Sequence, residues 1–151
     1  MSKLTIGWRE WLALPKLEVP LIKAKVDTGA RTSSLHAFDV ETFRRRGVER
    51  VRFKIHPLQR SSRETIAAEA ELIEHRLVKS STGKQTLRPV IATTIDLMGS
   101  MWDIELTLIN RDSMGFRMLL GREAIRGLFV VDPGRSFLAG KNVRTTINRK
   151  K

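Results

Sequence analysis

The 151-residue chain has no cysteine. That excludes a disulfide, a thiolate zinc site and a cysteine nucleophile, and it agrees with a reducing compartment. There is no H-E-x-x-H run either: His36, His56 and His75 lie far apart, without the one-turn spacing that turns two imidazoles toward one zinc ion. A G-x-x-x-x-G-K-[ST] loop is also missing, because Ser81-Thr82-Gly83-Lys84 lacks the first glycine and a helical continuation; nothing else offers ATP phosphates a backbone cradle. The expectation is no metal and no cofactor. Aromatic residues are few, with 3 Trp and 6 Phe, and they do not interleave the basic clusters, so base stacking has little support. No stretch is long and apolar enough to span a bilayer, and Met1 to Glu10 carries Lys3 and Arg9 without an apolar run between them. A soluble, cytoplasmic protein with no membrane partner is expected.

What is abundant is positive charge. The formal net charge is +12, concentrated at Arg44-Arg45-Arg46 and from Arg144 to Lys151, a balance that attracts anions across a Debye length of roughly 8 Å at physiological salt. Nucleic acid, a ribosomal surface and an acidic peptide all fit that field, and so does a merely solvated surface. The length suits one domain that buries its own core.

Read in order, the chain is mostly short strands. Leu4 to Leu14 is punctuated by Trp8 and Trp11, which read as core or rim packing. Pro15 and Pro20 bracket a turn, and Val19 to Val26 alternates into Asp27. Ser33 to Val40 reads as extended with Leu35, Ala37 and Asp39 on one face, Glu41 to Gly47 as a polar Arg-rich connection, and Val51 to Ile55 as a strand stopped by Pro57. Residues 67–78 fit either a helix or a strand. The turn cluster Ser80 to Lys84 and the strand formers of Thr86 to Ile95 favour a long hairpin with its tip near Gly83, and Pro89 suggests that its second strand is an edge. Ile91 to Leu97 and Trp102 to Ile109 flank a second turn. Met118 to Leu120 is a short buried strand, Arg122 to Arg126 a helical turn ended by Gly127, and Leu128 to Val131 a last strand closed by Asp132-Pro133-Gly134.

Val26-Asp27-Thr28-Gly29-Ala30 organises this pattern. An acid at a strand end is held rigidly yet stays reachable, as general acid/base work requires, and Gly29 admits a close partner backbone. The same residues also suit a surface Asx-turn closing a hairpin. Paired with the later Leu119-Leu120-Gly121-Arg122, this run resembles the retropepsin family of aspartic peptidases. From Gly7 to Leu138 the chain is more similar still to a retropepsin-like bacterial group labelled as ATP-dependent zinc proteases. That resemblance rests on Gly7-Trp8-Arg9-Glu10, the run Lys23 to Thr32, Asn110 to Met114 and Val131 to Phe137.

The resemblance implies a mainly β fold, a retropepsin-like closed β-barrel of the acid protease type. It would be a single lobe with one short C-terminal helix, the peptidase domain covering residues 1–139 and a basic, flexible tail residues 140–151. It implies an aspartic endopeptidase with Asp27, Thr28 and Gly29 in the catalytic loop, substrate contacts from Ala30, Arg31, Gly83 and Arg122, and a hairpin flap tipped at Gly83. Aspartic peptidases need two carboxylates sharing a proton, and one D-T-G in so short a chain implies a homodimer with Asp27 from each subunit. Asp132, set in its own Pro133 turn, does not qualify as the twin.

Viral retropepsins place an acid after D-T-G-A to pair with the later arginine, whereas this chain has Arg31. Arg122 is then expected to find Asp112 or Glu123, and the cleft to be basic and selective for acidic, Glu-rich substrates. The resemblance also associates the chain with a ligase that adds glutamates to a ribosomal protein, which makes that ligase and its target candidate partners. Neither zinc nor ATP is supported by a motif. Two other readings remain: a basic β-barrel module that binds RNA or the ribosome through Arg44 to Arg46, Lys54 and the tail, and an inactive dimeric scaffold that regulates a glutamate ligase.

Overall fold

The computed structural model describes residues 3–57, 65–79, 82–110 and 115–140. Asp112 and its neighbours, Ser80 and Ser81 of the turn cluster, and the basic tail beyond Gly140 lie outside them. Among the described residues eleven strands and one α-helix run in the order β1 (Leu4–Gly7), β2 (Arg9–Leu14), a 3-10 turn (Pro15–Leu17), β3 (Val19–Asp27), β4 (Ser33–His36), β5 (Phe38–Arg45) and β6 (Val48–Ile55). They continue with β7 (Ile66–Lys79), β8 (Gln85–Leu97), β9 (Ser100–Ile109), β10 (Met118–Gly121), α1 (Arg122–Ile125) and β11 (Phe129–Asp132). Residues 67–78 are therefore strand.

Nine strands form one sheet in the order β2-β3-β10-β4-β9-β8-β7-β6-β5. It curls until β2 meets β8 at Ala13 and Asp96, so that six strands make a ring and β7, β6 and β5 branch from it. Inside the ring lie the alternate apolar residues of its strands: Leu12 and Leu14 from β2, Ile22 and Ala24 from β3, Ile95 and Leu97 from β8, Leu106 from β9 and Leu120 from β10 are all fully buried. Every second position faces the core because strand side chains alternate with period two. β1 and β11 pair in parallel as a separate two-stranded sheet. Gly7 ends β1 against the chain beyond β11, where a Cβ would fall 2.2 Å from the Arg135 carbonyl oxygen. No helix among the described residues is long and apolar enough to cross a membrane.

Several local expectations change. The extended run from Ser33 breaks at Ala37, and Asp39 adopts a positive φ of 52° and is exposed rather than sharing the face of Leu35. The polar stretch from Glu41 is the strand β5, and the connection to β6 shrinks to Arg46-Gly47, with φ of 53° and 79°. That two-residue turn matches the twist of a tight hairpin. Polarity hid β5 because it is an outer strand with little buried surface. Charge pairs bind it instead: Lys54 to Asp39 at 3.3 Å, Arg44 to Glu49 at 2.6 Å and Arg45 to Glu69 at 3.0 Å. Pro89 sits in β8, which has neighbours on both sides, but it lies one residue beyond the end of the β8–β9 ladder at Val90. The missing N–H is tolerated there because the strand is an edge only locally.

Candidate active site and its relatives

The alternation of β3 buries Ala24 and Val26 and turns Lys23, Lys25 and Asp27 to the opposite, outward face. β10 lies between β3 and β4, parallel to β3 and antiparallel to β4, with Gly121 opposite Asp27. The strands before and after the D-T-G loop are therefore held apart by a strand from the far end of the chain. Gly121 has no alternative residue at this point: a Cβ would sit 2.5 Å from the carbonyl carbon and oxygen of Thr32. Its N–H donates to the buried Ser33 hydroxyl at 2.9 Å.

The loop is fixed through its carbonyls. Asp27 O accepts from Ala30 N at 3.1 Å, Ala30 O from Arg122 N at 2.9 Å, and Arg31 O from Glu123 N at 3.1 Å. Arg122 Nη1 donates to Thr28 O at 3.3 Å and to Gly29 O at 3.2 Å. Every carbonyl from Asp27 to Arg31 thus has a donor, most of them from the start of α1. On the carboxylate itself, Asp27 Oδ1 accepts from Gly29 N at 3.1 Å, an Asx-turn that sets the side chain's rotation. Gly29 leaves room for it, since a Cβ would approach Oδ1 to 3.3 Å. Both sequence readings of this run meet here, because the Asx-turn is the device that orients the acid. Asp27 is half-buried, while Thr28 and Gly29 are exposed.

Arg122 does not take an acid as its partner among the described residues. Glu123, adjacent to it in α1 and pointing elsewhere, pairs with Arg126 at 2.9 Å and with Arg31 at 4.0 Å. The guanidinium expected to form an ion pair serves the loop carbonyls instead. Arg31 is exposed at the mouth of a groove of about 540 Å³ lined by Thr32, Arg76, Trp102, Glu105 and Glu123. The hydrogen bonds that Arg76 donates to Glu74 and Glu105 raise its pKa above the ordinary value. Trp102 Nε1 donates to Ala124 O at 2.9 Å and ties this groove to α1. Gly83 lies at the turn of the β7–β8 hairpin with a φ of 88°, and nothing stands within 4 Å of where a Cβ would be.

No group of three or more His, Cys, Asp or Glu side chains among the described residues could hold a metal ion. Glu10 was not singled out by its sequence context. Fully buried, it accepts from Gly7 N at 2.6 Å, Leu138 N at 2.9 Å and Ala139 N at 3.0 Å. The signal was present: Glu10 is in phase with Leu12 and Leu14, an acid at a core position of an alternating strand.

Known proteins match this arrangement. The family model described as "Retropepsin-like aspartic endopeptidase RimB" matches residues 5–142. A "Probable alpha-L-glutamate ligase" of Shewanella pealeana is 50% identical over 140 residues, which is 93% of this chain but 31% of the ligase. A protein of the same name from Desulfotalea psychrophila is 44% identical over 149 residues, 99% of this chain and 32% of that protein. The chain thus spans about a third of the length of the curated relatives it matches. A Legionella pneumophila protein of unknown function, known from its crystal structure, superposes with a TM-score of 0.76 at 27% identity, over 91% of this chain and 99% of that one. With the family pattern running through nearly all of its described strands, the chain belongs to the RimB-like family of retropepsin-like aspartic endopeptidases.

Proposed function

We propose that the chain is an aspartic peptidase that works as a homodimer and hydrolyses peptide bonds in glutamate-rich segments. The observation that carries this reading is the D-T-G loop, in which five consecutive carbonyls are held and the acid is oriented at a strand end. Positioning of this kind is what a general base needs. One such loop supplies one carboxylate, and a two-fold copy supplies the second. Two Asp27 side chains close together cannot both ionise, so one accepts a proton from water while the other donates to the scissile carbonyl oxygen. Attack by that water gives a tetrahedral adduct, and proton return to the amine breaks the C–N bond.

The substrate class takes its support from charge and from the relatives. A net charge of +12 favours an anionic chain. Proteins that include a close relative of this chain are named for ligating α-L-glutamate, so we read the substrate as an α-linked glutamate tail that such a ligase builds. Asp27→Asn should abolish hydrolysis of an α-linked glutamate peptide by at least about 10³-fold, as loss of an essential acid does, with the melting temperature and sedimentation coefficient kept. Residual turnover in that variant, or full activity from a monomer, would refute the reading. The match to about a third of proteins named as probable glutamate ligases also favours a second reading, a non-catalytic regulator of such a ligase. A parent protein that cleaves no glutamate peptide yet alters ligase turnover would select it.

A further inference from the structure

The basic residues of this chain are not distributed alike. On β5 and β6 the cations meet acids: Arg44, Arg45, Arg50, Arg52 and Lys54 each lie within 4.0 Å of a carboxylate. The outward face of β2 and β3 is different. Arg9 stands opposite Lys25 and Trp11 opposite Lys23 in the antiparallel register, and none of Arg9, Lys23 and Lys25 has a carboxylate partner among the described residues. Aromatic rings hold two of these cations instead. Lys23 Nζ lies 5.7 Å from the Trp11 ring and 5.5 Å from Phe116, and Arg9 lies 4.6 Å from Trp8 and 4.9 Å from Phe137.

The rings also pack on each other, Trp8 on Phe116 edge to face at 6.0 Å and Trp11 on Phe137 stacked at 5.9 Å. Arg9 Nε donates to Ser136 Oγ at 3.1 Å, which leaves its terminal nitrogens for another acceptor. The ring faces are thus taken up by cations and by one another, which disfavours base stacking. What this face offers is fixed positive charge.

Its position gives the charge a use. Lys23, Lys25 and Asp27 alternate on one face of one strand, so Lys25 stands about 7 Å and Lys23 about 13 Å back from the acid. An extended peptide repeats its like-facing side chains at the same spacing of about 7 Å. We infer that the β2–β3 outer face is a carboxylate track, with Lys25 and Arg9 receiving one glutamate side chain of an extended acidic peptide and Lys23 the next like-facing one, so that these three residues set specificity for the Asp27 site. The track rests on the peptidase reading for its purpose but not for its binding.

The test separates the two. In an Asp27→Asn background, which cannot turn over, binding of an α-linked hexaglutamate is measured by calorimetry at about 50 mM salt, where surface charges are weakly screened. Lys23→Gln with Lys25→Gln should weaken it at least about tenfold and flatten its salt dependence, while Arg52→Gln with Lys54→Gln on the paired face changes it less than about twofold. Lys25→Glu, at an exposed position, gives the same readout if the double variant folds poorly. Equal affinity in the track variants, an equal loss from the control face, or tighter binding of a single-stranded oligouridylate than of hexaglutamate would overturn the track. If the parent cleaves nothing yet the track variants lose hexaglutamate, the track stands and the peptidase reading falls. If the parent cleaves hexaglutamate and the track variants keep its KM, the reverse holds.

Discussion

Glu10→Ala tests how the two ends of the described chain are joined. The Glu10 carboxylate is fully buried and accepts three backbone N–H groups, one from the end of β1 and two from residues 138 and 139. A hydrogen bond to a charged acceptor contributes about 1.5–3 kcal/mol, and an unmet buried donor costs about 1–3 kcal/mol. The three share one side chain and do not add, so a loss of about 4 kcal/mol is expected, near the upper end for single substitutions. For a chain of this size that is a fall of roughly 10 °C in Tm. Glu10→Gln keeps the volume and one acceptor oxygen but turns an amide NH2 toward N–H groups, and should cost about 2 kcal/mol. Urea unfolding at fixed protein concentration measures both. Hydrogen exchange reports the mechanism, because the Leu138 and Ala139 amides should lose protection ahead of the β8–β9 ladder. A cost under about 1 kcal/mol for Glu10→Ala, or unchanged exchange at those two amides, would refute this account of the contact.

Two further perturbations probe the loop and the charged hairpins. Arg122→Ala removes the donor to Thr28 O and Gly29 O. Since the guanidinium is exposed, stability should change by less than about 1 kcal/mol, while kcat on a glutamate peptide falls at least about tenfold through looser positioning of Asp27; an unchanged kcat would show that the loop holds itself. The Glu69 carboxyl titrates below its ordinary 4.5, first because Arg45 hydrogen-bonds it and then through the charges of Arg45, Arg50 and Arg52. A lowered folded-state pKa adds stability above the unfolded value that is lost as pH falls through the folded one, so this increment disappears below pH 4.5. Arg45→Gln should move the Glu69 titration, followed by carboxyl NMR, back toward 4.5; an unmoved titration would remove Arg45 as the cause.

Strands that alternate cleanly were legible from residue types: Val51 to Ile55, the approach to Asp27, and the hairpin around Met98-Gly99 all announce their pairing by period two or by turn residues. β5 was not, because it is polar and its partner Glu69 on β7 stands 24 residues from Arg45, beyond a local window. The D-T-G loop was legible as a site, but the service of Arg122 to carbonyls was not: its side chain has acids nearby in sequence, and only the placement of α1 over the loop decides between them. Trp8 and Trp11 read as core or rim packing, and both are half-buried against Phe116 and Phe137. Their role as supports for Arg9 and Lys23 depends on Phe116 and Phe137, brought from the far end of the chain.

The insertion of β10 between β3 and β4 also governs timing. Thr28 and the arginine that holds its carbonyl are 94 residues apart in the chain, and closing so wide a span is slow compared with forming hairpins. A fragment that stops short of Gly121 can build the β5–β6 and β7–β8 hairpins yet leaves the turn after Asp27 slack. The loop that orients Asp27 is therefore completed late, once the far end of the chain has docked on it.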